Sequence, residues 1–237
     1  MTEVVKLTPD IISNIDVFRN LSATDYESLS HILKAHRYQA NQRIINLGEH
    51  SQDVYFVIKG SLRITTYTSS GKEVTFQDMK AGQMFGELSA IDGEPRSTNV
   101  VALSESLLAV APPDMFFKIL SDYPKVNELI LRQLTGLIRK LGDRIVEFSA
   151  LSVKSRIHAE ILRLARSNMV TINSAEIIPS PTHLDIANRI STHREAVSRE
   201  ISDLTKSGIL KRSEGKLLIA NVAKLENLLE NQTKVIL

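Results

Sequence analysis

The sequence contains neither cysteine nor tryptophan, and aromatic residues make up only 5% of its 237 positions. The lack of cysteine excludes disulfide bonds, cysteine-ligated iron–sulfur clusters and thiol-based redox sensing. Because aromatic side chains are few, a hydrophobic core must be built mainly from leucine, isoleucine and valine. The apolar content of 43% is sufficient for that, and the chain is long enough for two modest domains.

Signals for a membrane span, a metal site or catalysis are also lacking. No apolar run reaches the roughly 18–20 residues that a membrane helix needs, and residues 1–6 do not begin a signal peptide. The six histidines show no metal-ligand spacing, and the sequence has neither a Walker loop nor a nucleophile elbow. We therefore expect a cytoplasmic protein that is not an enzyme, has no catalytic residues, holds no metal and binds no membrane.

Charge is distributed unevenly along the chain, although the net charge is only +2. Residues 151–237 contain 13 basic and 9 acidic side chains, whereas residues 1–150 contain 16 basic and 18 acidic ones. A basic excess in the C-terminal third is compatible with nucleic acid as a partner, because the nucleic-acid backbone is anionic.

Apolar patterning changes twice along the chain. Residues 38–111 contain short β-branched or aliphatic runs separated by turn signals such as Lys59-Gly60, which is typical of an antiparallel barrel or sandwich. Residues 124–148 predict one long helix, with apolar residues in steps of three and four: Leu131, Leu134, Ile138, Leu141, Ile145 and Phe148. This seam favours a parallel coiled-coil dimer; a helix packed only on its own domain is the alternative.

The most informative stretch is residues 85–102, FGELSAIDGEPRSTNVVA. Gly86 can adopt a positive φ or let the backbone approach a ligand. Glu87 can accept hydrogen bonds from sugar hydroxyls, and Arg96 offers a planar fork of donors that suits a phosphate, with Ser97 beside it. These residues predict one short loop that binds a sugar phosphate. The alternative is a surface ion pair between Glu87 and Arg96, worth ~0–1 kcal/mol.

Residues 182–201, THLDIANRISTHREAVSREI, predict a helix, a tight turn and a second helix. Thr182 is a good N-cap for the first helix, and Asp185 completes a capping box. The residues predicted to bury one face of the first helix are Leu184, Ile186, Ala187 and Ile190. Two short strands are expected to follow, giving a winged helix-turn-helix.

The second helix of this motif is predicted to begin at Thr192 as its N-cap and to bury Val197, Ile201 and Leu204. Its exposed face would carry His193, Arg194, Glu195, Ser198 and Arg199. Arginine can bridge O6 and N7 of guanine, and glutamate can accept from N4 of cytosine, so this face predicts base readout. Candidates for phosphate contacts are Thr182, Ser198 and, on the wing, Lys211. A solvated face of mixed charge is the alternative.

In these two stretches, and over about residues 10–225, the chain resembles the cyclic-AMP receptor protein (catabolite activator) family of bacterial transcription regulators. The resemblance implies that the ribose and cyclic phosphate are bound by Gly86, Glu87, Arg96 and Ser97, with Leu88 and Thr98 beside them. It also implies homodimerisation through the long helix, double-stranded DNA with TGTGA-like half-sites in an inverted repeat, and RNA polymerase as a partner.

The resemblance implies an α+β fold that consists of three parts. Residues 1–123 would form an antiparallel β-barrel (jelly-roll) that binds the cyclic nucleotide, residues 124–150 a long dimerisation helix and hinge, and residues 151–237 a winged helix-turn-helix that binds DNA.

One departure from the family's pattern bears on which nucleotide is the effector. In the cyclic-AMP archetype the long helix carries adjacent Thr and Ser that contact adenine, whereas Leu141 and Gly142 stand at these positions here. Neither has a side-chain hydrogen-bonding group. Residues that could substitute are Lys140, Asp143 and Arg144, and Ser97 and Thr98 could serve a guanine amino group. Cyclic AMP is therefore the first expected effector and cyclic GMP the second.

Two other functions remain open on the sequence alone. One is the same DNA-binding regulator with no nucleotide or with a different effector, which Leu141-Gly142 favours. The other is a nucleotide-binding module that acts on a protein partner without DNA, which the recognition-helix pattern disfavours.

Overall fold

A computed structural model describes residues 4–213 and 215–233 of the chain. The chain divides into two compact units, one comprising Met1–Thr68 and Thr75–Leu137 and the other Ser69–Val74 and Ile138–Leu237. Among the described residues, none of the helices is both long enough and apolar enough to cross a membrane.

The N-terminal part consists of two antiparallel sheets and short helices. The strands are β1 (Val4–Val5), β2 (Lys34–Tyr38), β3 (Arg43–Ile45), β4 (Val54–Lys59), β5 (Ser61–Tyr67), β6 (Glu73–Lys80), β7 (Met84–Phe85), β8 (Asn99–Ala102) and β9 (Ser106–Ala111). The helices are α1 (Pro9–Ser13), α2 (Ala23–Ile32), α3 (Glu87–Asp92) and α4 (Pro113–Asp122), with a 3-10 turn at Asp16–Phe18. One sheet has the order β1-β2-β9-β4-β7 and the other β3-β8-β5-β6.

Strand β4 shows why this part has two layers of core. Successive side chains of a strand point to opposite faces. Val54 and Phe56 belong to a cluster with residues of the helices, such as Phe116, whereas Tyr55 and Val57 belong to a separate cluster with residues of the second sheet. Both faces of β4 are therefore covered, which explains why its sequence is a continuous apolar run rather than an alternating one.

Helix α5 (Pro124–Ala150) is confirmed as one long helix, ending at Ala150 rather than Phe148. Val126 and Ile130 near its start are buried in the cluster of the first unit. Helix α6 (Val153–Arg166) follows, with Ser152 as its N-cap. Leu151 and Ser152 therefore separate the two helices.

The C-terminal unit is a winged helix-turn-helix. After α6 come β10 (Met169–Thr171), β11 (Ser174–Ile177), α7 (His183–Arg189), α8 (Arg194–Lys206), β12 (Leu210–Ser213), β13 (Lys216–Ile219) and α9 (Val222–Thr233). The sheet order is β10-β11-β13-β12. Ile161 of α6, Ile186 of α7, Val197 of α8 and Leu217 of β13 share one buried cluster, so the apolar faces of the three helices and the sheet form a single core.

The predicted fold class, an antiparallel β domain with a long helix and a C-terminal winged helix-turn-helix, is confirmed. Three details of the prediction are wrong. Residues 87–92 form helix α3 rather than a simple loop. Leu184 is 54% exposed rather than buried, since it lies in the first turn of α7, outside the packed stripe. The N-cap of α8 is His193, whereas Thr192 is buried one residue earlier.

Candidate functional site

Gly86 stands at the junction of β7 and α3, where its conformation requires glycine. It is the N-cap of α3 with φ +85°, in the left-handed region that other residues enter at a cost. A Cβ atom at this position would lie 2.9 Å from Nη1 of Arg96 and 2.9 Å from the carbonyl oxygen of Asp53. Both backbone conformation and space therefore exclude a side chain here.

Arg96 is held from three sides by the loop around it. Its Nη1 donates to the carbonyl oxygen of Gly86 at 2.7 Å, its Nη2 to the carbonyl oxygen of Asp53 at 2.7 Å, and its Nε to Oγ of Ser51 at 3.0 Å. The guanidinium carbon lies 5.8 Å from the centroid of the Tyr55 ring. These contacts fix the planar fork against the residues that precede β4, on β4 and after β7.

The charge of Arg96 is buried without a carboxylate partner. The residue is only 3% exposed, and within residues 4–213 and 215–233 its guanidinium forms no ion pair. The predicted alternative of a surface ion pair with Glu87 is therefore wrong. Burial lowers the pKa of Arg96, while Tyr55 and Asp53 act to raise it. Asp53, Glu49 and Glu87 act on this guanidinium electrostatically, but none of them forms a salt bridge with it among the described residues, so the charge remains available to an anion.

Glu87 opens helix α3 beside this arginine. Burial raises the pKa of its carboxyl group, and Arg96 opposes that shift. No hydrogen bond from another described side chain reaches the Glu87 carboxylate, which leaves its oxygens able to accept from a ligand hydroxyl. Arg96 thus offers hydrogen-bond donors for a phosphate, and Glu87 offers an acceptor for a hydroxyl group, within one loop.

An aromatic pair supports this arrangement from the core side. The rings of Tyr55 and Phe85 stack with centroids 5.0 Å apart and planes 8° apart. Burial, with the nearby Tyr38 and Asp53, raises the pKa of Tyr55 to about 12, so Tyr55 stays neutral at physiological pH. The pair joins Phe85, the residue before Gly86, to Tyr55, whose ring faces the Arg96 guanidinium.

The remaining residues predicted to bind ligand are more exposed. Leu88 and Ser97 lie at the surface of the first unit, and Thr98 is half-buried. On α5, in the second unit, the exposed positions are Lys140, Leu141, Gly142 and Asp143.

Arg144 differs from these neighbours because it is engaged by carboxylates within the second unit. Its Nη1 lies 3.1 Å from Oε2 of Glu147, and its Nη2 lies 3.0 Å from Oε2 of Glu160. Glu160 is buried and is also paired with Arg163 and Arg189. This network ties the end of α5 to α6 and α7 and occupies the Arg144 guanidinium.

The apolar seam of α5 is exposed within one chain. Ile138 is 69% exposed and Ile145 is 67% exposed, and Leu131, Leu141 and Phe148 are exposed as well. Leu134 alone in this seam packs against the first unit's core. A continuous row of exposed apolar residues on one helix is typical of a surface that another protein covers.

The start of the helix-turn-helix is fixed by the predicted capping box. Oγ1 of Thr182 accepts from the backbone N–H of Asp185 at 3.0 Å, and Oδ2 of Asp185 accepts from the N–H of Thr182 at 2.9 Å. The turn between α7 and α8 passes through Ser191, which has φ +52°. This confirms the cap and shows that a non-glycine residue adopts the left-handed conformation in the turn.

Helix α8 presents the predicted face. Val197, Ile201 and Leu204 are buried, as expected. The five residues predicted to face outward are all exposed: His193, Arg194, Glu195, Ser198 and Arg199. Lys211 is exposed on β12, and Thr182 is exposed at the start of α7. The structure therefore brings a row of hydrogen-bonding and cationic side chains onto one helix, as direct readout of bases requires.

A groove of about 600 Å³ lies beside this helix and was not predicted. Its lining includes Thr182, His183, Arg194, Arg212 and Lys216. Arg212 and Lys216 belong to the wing strands β12 and β13, and His183 is the first residue of α7. Thr182 and Arg194 were predicted from local motifs, but no local motif places them with Arg212 and His183, because the groove forms only when the wing folds back beside the two helices.

Two known domain families match the chain at these sites. The cyclic nucleotide-binding domain matches residues 35–123, and the Crp-like helix-turn-helix domain matches residues 155–228. The chain belongs to the CRP/FNR family of transcription regulators. As a CRP/FNR protein it combines a cyclic nucleotide-binding domain with a DNA-binding domain, and its family comprises regulators rather than enzymes.

Similar proteins support this assignment. This CRP/FNR chain is 24% identical over 218 residues to a CRP-like cAMP-activated global transcriptional regulator of Mycobacterium tuberculosis, covering 91% of this chain and 97% of the relative. It is 25% identical over 190 residues to the cAMP-activated global transcriptional regulator CRP of Haemophilus influenzae, covering 80% and 84%. A CooA mutant structure from Carboxydothermus hydrogenoformans shares the fold, with a TM-score of 0.78 at 18% identity over 91% of this chain and 94% of that one.

Proposed function

We propose that this CRP/FNR regulator binds cyclic AMP, and cyclic GMP as a second effector, and that the nucleotide favours a homodimer reading a palindromic TGTGA-like site. The observation that carries the proposal is the buried guanidinium of Arg96, which is 3% exposed and has no carboxylate partner among the described residues. A cyclic nucleotide phosphate is a monoanion of the size that one arginine fork can hold.

The residues of the loop divide the recognition of such a nucleotide between them. Arg96 supplies charge and directional N–H groups, since its three hydrogen bonds to protein acceptors use three of its five N–H donors. Gly86 lets the backbone come close, Glu87 accepts from the ribose hydroxyl, and Ser97 adds a hydroxyl at the phosphate. Leu88 and Thr98 are the remaining residues of this loop that would line the nucleotide site.

Base recognition is assigned to α5. Lys140, Asp143 and Arg144 are the polar side chains near Leu141 and Gly142, and of these Arg144 is already bound to Glu147 and Glu160. Lys140 and Asp143 are therefore the better candidates to contact a base. With weaker base contacts, discrimination between adenine and guanine is expected to be low.

We further propose how the protein dimerises and binds DNA. Two copies of the chain would pair through the exposed seam of α5 and set two α8 helices into successive major grooves, about 34–36 Å apart. Arg194, Glu195 and Arg199 would read bases, with His193 beside them. Thr182, Ser198 and Lys211 would contact phosphates. In this scheme residues 1–123 form the nucleotide domain, 124–150 the dimer helix and hinge, and 151–237 the DNA domain. RNA polymerase is the proposed protein partner of the DNA-bound dimer.

A second candidate is the same DNA-binding regulator with no nucleotide or a different effector. The exposed pair Leu141 and Gly142 favours it, because neither side chain can hydrogen-bond to a base.

Calorimetric titration with cyclic AMP and with cyclic GMP tests the proposal. Wild-type protein is expected to bind cyclic AMP, and Arg96→Lys is expected to lose most of that affinity because one ammonium cannot replace the bidentate fork. Arg37→Lys is the matched control, since Arg37 lies on β2 in the same unit and pairs with Glu105 at the surface. If wild-type protein binds neither nucleotide, the second candidate replaces the first.

A further inference from the structure

The groove beside the recognition helix collects cationic side chains from three elements of the second unit. Arg194 comes from the start of α8, Arg212 from β12 and Lys216 from β13, and the imidazole of His183 lines the same groove from the start of α7. Such a set of cations around one depression favours an anion. The lining is partly apolar, because the exposed Leu184 also lines the groove.

Among the described residues, the carboxylates of Glu176 and Asp185 lie on elements beside this groove, and both are already engaged. Oε1 of Glu176 on β11 is 2.5 Å from Nζ of Lys216. Oδ2 of Asp185, on the same helix as His183, accepts from the N–H and Oγ1 of Thr182 at 2.9 and 2.7 Å. Among the described residues, Arg212 and Arg194 are the charged groups that act on His183.

His183 has an unmet hydrogen-bonding requirement at this place. Its Nε2 is buried, and in the part of the chain that the structure describes it has no hydrogen-bond partner. A buried polar atom without a partner is destabilising, because nothing replaces the hydrogen bond that it would make to water. Burial, together with the positive charges of Arg212 and Arg194, lowers the pKa of His183 below its usual 6.5, so the free protein holds a neutral imidazole at pH 7.

We propose that this groove is a proton-linked binding site for a backbone phosphate of DNA, in which His183 takes up a proton as the phosphate enters beside Arg194 and Arg212. The proposal rests on the DNA-binding function of the helix-turn-helix. A phosphate cancels the repulsion that keeps the imidazole neutral, and the protonated ring donates from both nitrogens. The buried nitrogen thereby gains the partner that it lacks in the free protein.

The direction of the pH dependence follows from linkage. His183 has a lowered pKa in the free protein and a raised one beside a phosphate, so the complex binds more protons than its separate components. DNA affinity therefore rises as the pH falls through the interval between these two pKa values, by up to about tenfold per pH unit for one proton. Outside that interval this contribution is constant. A phosphate contact carries no sequence information, so specific and unrelated duplexes share the effect.

The test is calorimetric titration of the full-length protein with cyclic AMP present, using a duplex that carries an inverted TGTGA repeat and a duplex of unrelated sequence. Running each titration in two buffers of different ionisation enthalpy at pH 6.5 gives the number of protons taken up. Wild-type protein is expected to take up a proton in the groove of each subunit with both duplexes. His183→Gln is expected to lose that uptake, and His31→Gln, an exposed residue of α2 in the other unit, is expected to keep it.

A second variant separates loss of the proton from loss of structure. His183→Arg carries a permanent charge, so it is expected to bind DNA at pH 8 more tightly than wild type and without the pH-linked gain. Equal proton uptake by wild type and His183→Gln would overturn the proposal, as would loss of uptake in His193→Gln alone. If wild-type protein binds neither duplex, the DNA-binding function itself fails. That outcome differs from DNA binding without proton uptake.

Discussion

Arg96 and Gly86 are joined by a 2.7 Å hydrogen bond from Nη1 to the glycine carbonyl oxygen, and a Cβ on Gly86 would lie 2.9 Å from that same nitrogen. The arginine proposed to hold a phosphate is therefore also a structural part of the loop that presents it. A change of conformation at residue 86 therefore also moves the guanidinium of Arg96.

Gly86→Ala is expected to weaken nucleotide binding and to destabilise the fold. The left-handed backbone costs an alanine about 1–2 kcal/mol, and the new methyl group displaces the Arg96 guanidinium. Gly71→Ala is the control, because Gly71 has φ +78° with open space around its Cβ position and therefore tests backbone strain alone. Nucleotide affinity by calorimetry and unfolding by urea measure the two effects. Equal nucleotide affinities for both variants would contradict the described loop.

Glu195→Ala is expected to relax base preference, because a lost contact to a base edge removes about 1–3 kcal/mol of discrimination. Lys211→Ala is expected to weaken all sequences alike and to reduce the salt dependence by about one phosphate contact. Fluorescence anisotropy with matched and mismatched duplexes over a salt series measures both. A uniform, sequence-independent loss for Glu195→Ala would argue against direct readout.

Thr182→Ala is expected to lower the free energy of unfolding by about 1 kcal/mol, because the capping box at α7 loses its side-chain acceptor. Thr182→Ser keeps the hydroxyl and is expected to keep most of the stability. Thermal and urea unfolding of the two variants provide the comparison. Identical stabilities for the alanine and serine variants would show that the cap contributes nothing.

Ser191→Gly is expected to raise the free energy of unfolding by roughly 0.5–1 kcal/mol. Ser191 has φ +52° in the turn between α7 and α8, a conformation that costs residues with a Cβ but not glycine. Ser191→Ala keeps the strained Cβ and is the control, for which no gain is expected. A lower melting temperature for the glycine variant would mean that the serine hydroxyl outweighs the strain.

Ile145→Glu is expected to convert a dimer into monomers. The side chain is 67% exposed in the seam of α5, and a buried unpaired carboxylate would make the paired state unfavourable. Gln133→Glu adds the same charge at an exposed position outside the seam and is expected to leave the dimer intact. Sedimentation velocity gives the masses. A monomeric wild-type protein would contradict the proposed role of this helix.

Local patterns predicted the parts of the molecule that lie close together in sequence. The capping box of Thr182 and Asp185 spans a single turn, so spacing alone was enough to predict it. Gly86 and Arg96 also lie on one short segment, but their role in binding a nucleotide rests on the family resemblance and stays a prediction. The hairpin of β10 and β11 and helix α9 were not predicted, because their short sequences have weak periodicity and depend on packing against the rest of the unit.

Features assembled from distant segments could not be predicted. Arg212 and His183 are 29 positions apart in the numbering and meet only through the wing. Buried Glu160 gathers Arg144, Arg163 and Arg189 from three helices. The sequence pattern of α6 shows an acidic residue on a helix and carries no information on which arginines surround it.

The most direct test of the whole account is the affinity for a duplex with an inverted TGTGA repeat, measured by fluorescence anisotropy with and without saturating cyclic AMP. An allosteric coupling of about 1–3 kcal/mol predicts that the nucleotide tightens binding by roughly 5- to 150-fold, with no such gain in Arg96→Lys. Equal affinity with and without cyclic AMP would contradict the account, because the nucleotide would then not control DNA binding.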